Sequence, residues 1–551
     1  MTFAIPKQRT KLARWFAPPI ADVLFVLILL LMVLGGAERL LIDADTGWHI
    51  RTGDYVLSQR RFIDHDIFSY SRYGQYWVAW EWLSDVLLSL ANRFAGLLGV
   101  TLLSALVLAA TFRKLLATLL ARGNDRTTAL LFTFLVFAAS AIHVNARPHI
   151  VSWYLTLTLY VLLDDYQRGL IPAKRLIWAP VIMLFWVNLH GGFIMGFIIT
   201  TLIALANLLD YLFASKPESL SRFRTICWTL LAMLAVSFCT PFGYRLHENV
   251  LKLLSNVTLM DAINEYQSMN FHTGAGKCFI LVVLSCVIFP AYSKLRFTTH
   301  EAIVLAVCLA GGFVAVRAVP TSSMLSAIII MPHLTRWMRD QTAPSPDGAT
   351  GVPSRWQKLF RMLEESSKGN SELDAQHRSP VVACSAMALL VALVLNGGSL
   401  AGRPILDAAF PETRFLLPGA RDFIRTHPEI DHLFAPDYFT GYVVYYFYPA
   451  VRCAMDTRFD LVGESYQRDY ETVTSVLPGW DAVLERWKVD YVLFPHASTL
   501  AAALAERAEW KVLFEDSQTV LFHRAKTPNG APSHRSNKRP QNVAEAESPK
   551  M

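Results

Sequence analysis

The residues best suited to chemistry lie near the start of the chain, in DADTGWHIRTGDYVLSQRRFIDHDIFSYSRYGQYWVAWEWLSDVLL, which holds Asp43, Asp45, His49, Arg51, Asp64, His65, Asp66 and Glu81. If Asp45 to Arg51 open a helix, Asp45 and His49 stand four residues apart and share a face. A carboxylate so placed can deprotonate an acceptor hydroxyl. With His49 it can instead hold a divalent cation (Mg or Mn) that neutralises phosphate; either role suits group transfer from a phosphorylated lipid. The plainer alternative is that Asp43 or Asp45 only caps the helix. Glu81, flanked by Trp80 and Trp82, has an equally plain alternative as part of an interfacial aromatic belt. Further along, His143, Asn145, Arg147 and His149 cluster at one break between apolar runs, and Asn188 and His190 at another. His247, Asn264, Glu265 and Arg317 follow near later run ends.

What must position these residues is a membrane. The chain of 551 residues is 53% hydrophobic and 17% charged, too apolar for one soluble fold and too long for one domain. Apolar runs fall at about 20–42, 85–112, 127–143, 149–164, 176–189, 191–213, 225–240, 278–293, 300–318, 320–336 and 380–397, so about eleven transmembrane helices are expected. The first is too long for a signal segment and lacks a small-residue cleavage site, so it reads as a retained helix. With residues 1–19 cytoplasmic, the basic clusters at Arg113/Lys114, Lys174/Arg175, Arg222/Arg224, Lys294/Arg296 and Arg336/Arg339 all fall inside, as the positive-inside rule requires. The net charge of +7 is thereby accounted for without nucleic acid. These polar residues collect on the outer face, the first outer loop spanning 43–84. Ionisable groups at membrane depth are costly, which makes that one-sidedness a functional signal.

The remaining segments follow from this topology. The transmembrane core covers 20–336, a polar and mobile inner loop 337–379, and the last helix 380–400. Residues 401–525 then form a small soluble α/β domain outside, and 526–551 a disordered tail. Strands are expected at 432–435, 452–455, 490–494, 511–515 and 519–523, with helices around 470–487 and 499–510. The seven cysteines have no metal-type spacing, and Cys453 alone falls in the soluble domain, which excludes an internal disulfide there.

The run Asp45-Thr46-Gly47-Trp48-His49-Ile50-Arg51-Thr52-Gly53, then Asp66-Ile67-Phe68-Ser69-Tyr70 and Trp77 to Leu83, resembles the first periplasmic loop of bacterial GT-C-type glycosyltransferase-like membrane proteins. Arg147-Pro148, Asn188-Leu189-His190-Gly191-Gly192, Thr240-Pro241-Phe242-Gly243, Asn264-Glu265-Tyr266, Gly441-Tyr442 and Met455-Asp456-Thr457-Arg458 follow the same pattern in order, over about residues 20–525. The resemblance implies a polytopic α-helical GT-C-like protein of the bacterial inner membrane with a periplasmic α/β domain. It also implies a polyprenyl-phosphate sugar as donor and a glycan, lipid or protein as acceptor. An acidic residue of the first loop acts as base or metal ligand in such proteins, which points to Asp45 first and Asp43 second. Where the pattern has Asp-Pro-Asp, this chain has Asp43-Ala44-Asp45. His49, Arg51, Glu81, Arg147, His149, His190, Glu265 and Arg317 would line the pocket, the arginines holding lipid phosphate. The alternative is a non-catalytic membrane protein that binds, transports or assembles a glycan or lipid of the envelope.

Overall fold

A computed structural model describes residues 18–293, 296–342, 355, 357–358, 360–363, 365, 379–412 and 418–525. The expected cytoplasmic N-terminus (except residues 18–19), most of the inner loop and the disordered tail lie outside these residues.

Among the described residues a helix occupies each of the eleven apolar stretches, from Ile20–Leu34 to Val381–Leu395. Six helical segments are long and apolar enough to cross a bilayer: Trp82–Ala121, Arg126–His143, Gly191–Phe213, Pro217–Ser237, Gly274–Ala291 and Val316–Thr342. Ile20–Gly35, Thr299–Val314 and Val381–Leu395 are shorter apolar helices. The first helix stops at Gly35-Gly36, well before residue 42. Helix Trp82–Ala121 has 40 residues, about twice what a bilayer core requires, and bends at Ala95-Gly96, where Gly96 takes a φ of +60°. Its turns before the bend carry the polar residues Ser84, Asp85, Asn92 and Arg93.

The first loop folds as the expected helix, Asp45–Gln59, followed by an irregular segment with a β-bridge between His65 and Tyr76. Two close approaches fix this helix. A Cβ on Gly53 would lie 2.1 Å from the Asp85 carbonyl oxygen, so the helix seats directly on Trp82–Ala121. On the other side Gly47 crosses Gly441 of helix Asp437–Phe447, and a Cβ on Gly441 would lie 2.0 Å from the Ala44 carbonyl oxygen. Only glycine permits backbones to meet so closely.

The C-terminal region contains an antiparallel pair, β1 (Ser399–Leu400) and β2 (Arg403–Pro404), and a five-stranded sheet of β3 (His432–Phe434), β4 (Arg452–Cys453), β5 (Tyr491–Pro495), β6 (Trp510–Glu515) and β7 (Thr519–Arg524). The sheet order is β4-β3-β5-β7-β6, with β3 parallel to β4 and β5, and β7 antiparallel to β5 and β6. Both faces are covered, which explains why Tyr491-Val492-Leu493-Phe494 is continuously apolar. Phe434, Val492, Phe494, Val520 and Phe522 pack against Trp480 and Trp487, while Leu433, Leu493 and Leu521 join the cluster that continues into the membrane helices. The sheet layer therefore sits directly on the helical core.

Three expectations change in detail. The helix anticipated over 470–487 is two helices, Phe459–Thr474 and Trp480–Arg486, because Pro478-Gly479 interrupts it and Gly479 adopts a φ of +90°. That anticipated over 499–510 ends at Ala505, and Trp510 starts β6. Helix Asp437–Phe447 was not anticipated, its aromatic and β-branched content being poor helix formers that burial against the first loop overrides.

Candidate functional site

Arg147 precedes helix His149–Gln167, and its guanidinium stands among three carboxylates. Nη1 donates to Asp43 Oδ2 at 3.0 Å and Glu265 Oε1 at 2.7 Å, and Nη2 pairs with Asp45 Oδ2 at 2.9 Å. Asn145 Nδ2 adds a bond to Asp43 at 3.1 Å. Asp43 also accepts the Asp45 backbone N–H at 3.0 Å, while the N-cap position itself is Ala44, so neither aspartate is the N-cap residue. Arg317, lying 4.0 Å from Glu265 and over the Tyr266 ring, extends the chain of charges.

Asp45 is 6% exposed, and its second oxygen accepts the hydroxyl of Thr457 from the C-terminal region. Burial raises its pKa to about 7, the attraction of Arg147 and the Thr457 bond offsetting only part of that penalty. Glu265, by contrast, is held well below the usual carboxylate range, chiefly by Arg147.

A second group adjoins the first. His49 Nδ1 lies 2.6 Å from Asp85 Oδ1 and Nε2 lies 3.7 Å from Glu81; burial keeps the ring neutral. His190 accepts at Nδ1 from the Gly192 N–H at 2.9 Å, with Ser152 Oγ at 2.7 Å, so its ring proton is on Nε2, 3.4 Å from Glu81. Burial pushes Glu81 up to about 7 as well, opposed by Arg147 and Arg317, whose charges reach it. His149 bonds the His143 carbonyl at 2.8 Å and stands beside His190, ring centroids 6.4 Å apart.

Of the residues singled out from sequence, Asp43, Asp45, Arg147, Glu265 and Arg317 thus form one cluster, and His49, Glu81 and His190, with His149 at its edge, its neighbour. Arg51 is drawn elsewhere: its guanidinium bonds the Tyr445 carbonyl oxygen, and Asp54 at 3.2 Å, stitching the loop helix to the C-terminal region. Sequence reasoning passed over Asp85, although a lone carboxylate in WLSDVLL is the kind of intramembrane charge that merits notice. Thr457 entered the sequence reading only within Met455-Asp456-Thr457-Arg458, with no role of its own, since its partner is 412 residues away.

A clamp holds Thr457 in place. Arg458, 2% exposed, pairs with Asp66 of the first loop and with Asp456, both at 2.5 Å, and lies over the Phe68 and Trp77 rings. Ser69 forms a parallel bridge to Cys453 at the edge of the sheet, and the Tyr70 N–H bonds the Cys453 carbonyl oxygen at 3.1 Å.

The donor set does not fit a divalent ion held by Asp45 and His49. Both Asp45 oxygens are engaged, a guanidinium already fills the space among the three carboxylates, and His49 addresses Asp85 and Glu81. Among the described residues, the trio close enough to share an ion is Asp431, His432 and Asp490, at the partly exposed sheet edge.

An apolar helical bundle, a loop helix carrying acidic residues and a sheet layer that closes over it make up a fold shared with solved structures. The same fold is found in the archaeal oligosaccharyltransferase AglB from Archaeoglobus fulgidus, solved in complex with an inhibitory peptide and a dolichol-phosphate: 13% identity, 94% of this chain and 75% of that chain covered, TM-score 0.53. A second Archaeoglobus fulgidus oligosaccharyltransferase structure, in complex with Zn and sulfate, matches at 12% identity over 92% of this chain and 73% of that one, TM-score 0.52. ArnT from Cupriavidus metallidurans, bound to undecaprenyl phosphate, aligns at 14% identity over 91% and 96% of the two chains, TM-score 0.47. No family model and no curated protein matches the chain.

Proposed function

We propose that this protein is a membrane glycosyltransferase that moves a sugar from a polyprenyl-phosphate donor to a glycan, lipid or protein acceptor at the periplasmic face of a bacterial inner membrane. The observation that carries this reading is the buried Asp45, its pKa raised to about 7, beside an arginine shared by three carboxylates. A base titrating near neutral pH is both ionised enough to accept a proton and basic enough to be useful. The AglB complex with dolichol-phosphate supports a lipid-phosphate donor.

In this reaction the acceptor hydroxyl oxygen bonds to the anomeric carbon from the face opposite the leaving group, which inverts its configuration. The hydroxyl proton passes to Asp45. The bond from the anomeric carbon to the phosphate oxygen breaks, and that oxygen takes the electron pair. Arg147 and Arg317 compensate the charge that develops on the leaving phosphate. His49, His149, His190 and Glu81 shape the sugar pocket, and Asp43 and Glu265 hold Arg147 in position. No step passes through a metal ion.

The engagement of both Asp45 oxygens favours a second reading, a non-catalytic protein that binds, transports or assembles a glycan or lipid. Incubating the purified protein with radiolabelled polyprenyl-phosphate sugars and a panel of acceptors separates the two. Covalent product that disappears in Asp45→Asn supports transfer; donor binding without product, unchanged in Asp45→Asn, supports the second reading.

A further inference from the structure

A cleft of about 470 Å³ opens beside the carboxylate clusters, lined by Arg60, Arg61, Phe62, Asp64, Tyr76, Pro241, Phe242 and Arg245. Its volume suits a small ligand. Three guanidiniums face one carboxylate, and Asp64 is already bonded to His65 at 2.7 Å. Among the described residues Arg60 and Arg61 have no carboxylate partner, while Arg245 lies over the Tyr76 ring. An unneutralised set of guanidiniums is suited to an oxyanion, which accepts their paired N–H groups bidentately.

The surroundings put that oxyanion at the membrane surface. Pro241, Phe242 and Arg245 follow directly on Pro217–Ser237, a helix long and apolar enough to cross a bilayer, so they emerge at its surface. Arg245 belongs to helix Tyr244–Ser255, whose Tyr244, Leu251 and Leu254 are exposed among Arg245, Glu248 and Lys252, the composition of a helix lying in the interface. The cleft's inner wall is Phe62, packed edge-on against Trp82 at 5.0 Å and Phe242 at 6.3 Å. Trp82 adjoins Glu81 in the chain, which connects this wall to the Glu81 group.

We infer that the Arg60–Arg61–Arg245 cleft is a binding site for a phosphate group presented at the membrane surface, distinct from the Arg147 and Arg317 site. The phosphate belongs either to an anionic phospholipid head group or to a free phosphate ligand. Arg60 offers an unusually clean probe. It ends the loop helix with a φ of 52°, a left-handed conformation that glycine adopts more readily. Arg60→Gly therefore removes the charge while sparing, or slightly raising, stability.

The test uses the full chain in phosphatidylcholine nanodiscs and requires no sugar donor, so it stands apart from the transfer reading. One arm measures inorganic phosphate binding; the other measures retention of phosphatidylglycerol doped into the discs, by native mass spectrometry. Saturable binding of either probe is expected, weakened at least about tenfold in Arg61→Gln/Arg245→Gln. Arg60→Gly is expected to weaken it in the same direction at an unchanged or higher unfolding temperature. Phosphatidylglycerol alone identifies a lipid head group, and inorganic phosphate identifies a free ligand. Binding of neither probe, or equal binding by the wild type and all variants, overturns the site.

Discussion

Two buried ionic networks stand at opposite ends of the same pair of helices. Arg147 precedes helix His149–Gln167 and Asp164 sits in its last turn; Glu301 opens helix Thr299–Val314 and Arg317 follows its end. At 1.5 Å per residue the two networks are about 25 Å apart. In the second, Asp164 pairs with Arg122 at 2.5 Å, Arg168 at 2.7 Å and His300 at 2.9 Å, while Glu301 takes Arg168 at 2.7 Å and caps Thr298. Asp165 adds a third carboxylate, 3.2 Å from Arg122, and His333 lies 3.4 Å from Glu301, so three carboxylates meet two arginines and two histidines. In the first, a single guanidinium serves three carboxylates, and four buried atoms in or beside it lack partners, Arg147 Nε, His143 Nε2, Asn145 Oδ1 and Asp85 Oδ2, whereas the arginines of the second leave Arg122 Nη1. Buried polar groups normally find partners, so a concentration of unpartnered ones marks a place built for something other than stability. This contrast supports reading the Asp164 network as a lock and the Arg147 network as the proposed site.

The sharpest way to break this contrast is to neutralise one carboxylate in each. Asp45→Asn should lower transfer by about 10²–10⁴-fold, the range for a lost general base, with little change in unfolding temperature. Asp43 and Glu265 still balance Arg147 in that variant. Asp164→Asn should do the reverse, costing about 2–3 kcal/mol of stability by removing the fully buried carboxylate that Arg122, Arg168 and His300 share, while transfer per folded molecule is kept. Thermal unfolding and initial rates on the same samples read both. A stable Asp164→Asn protein without activity would abolish the distinction.

A finer test uses pH. Because the protonated form of Asp45 is inert as a base and burial lifts its pKa to about 7, transfer should rise as pH increases through about 7. The Thr457 hydroxyl donates to the carboxylate and so favours its ionised form. Thr457→Val removes that donor and should move the rising limb to higher pH by roughly one unit, whereas Thr457→Ser should hold it in place. An unmoved limb in Thr457→Val would separate the C-terminal region from the chemistry.

The contrast between the networks also explains what the sequence disclosed. The Arg147 site was legible because its members interrupt apolar runs at run ends, where a His, Asn or Glu has no reason to be. The Asp164 network was not, since Arg122 and Arg168 are accounted for by the positive-inside rule, and Asp164 looks like an ordinary helix-end charge. The five strands were readable as short apolar runs separated by charged and turn residues, whereas helix Asp437–Phe447 exists because Gly441 lets it cross the loop helix at Gly47. Thr457 and the Arg458–Asp66 clamp depend on contacts across about four hundred residues, which no local pattern encodes.

The smallest expected effect is that of metal removal. A divalent ion among Asp43, Asp45 and Glu265 would have to displace Arg147, whose three ion pairs with them range from 2.7 to 3.0 Å. Displacement would strand a guanidinium only 21% exposed and discard its charge-assisted bonds. The positive charge at the site is therefore carried by the protein itself. Chelation with EDTA should accordingly leave the transfer rate within about twofold, while Arg147→Lys, which keeps the charge but loses the planar fork, should reduce it. A rate that collapses on chelation and returns with Mg or Mn would mean that Arg147 yields its place to an ion when substrate binds.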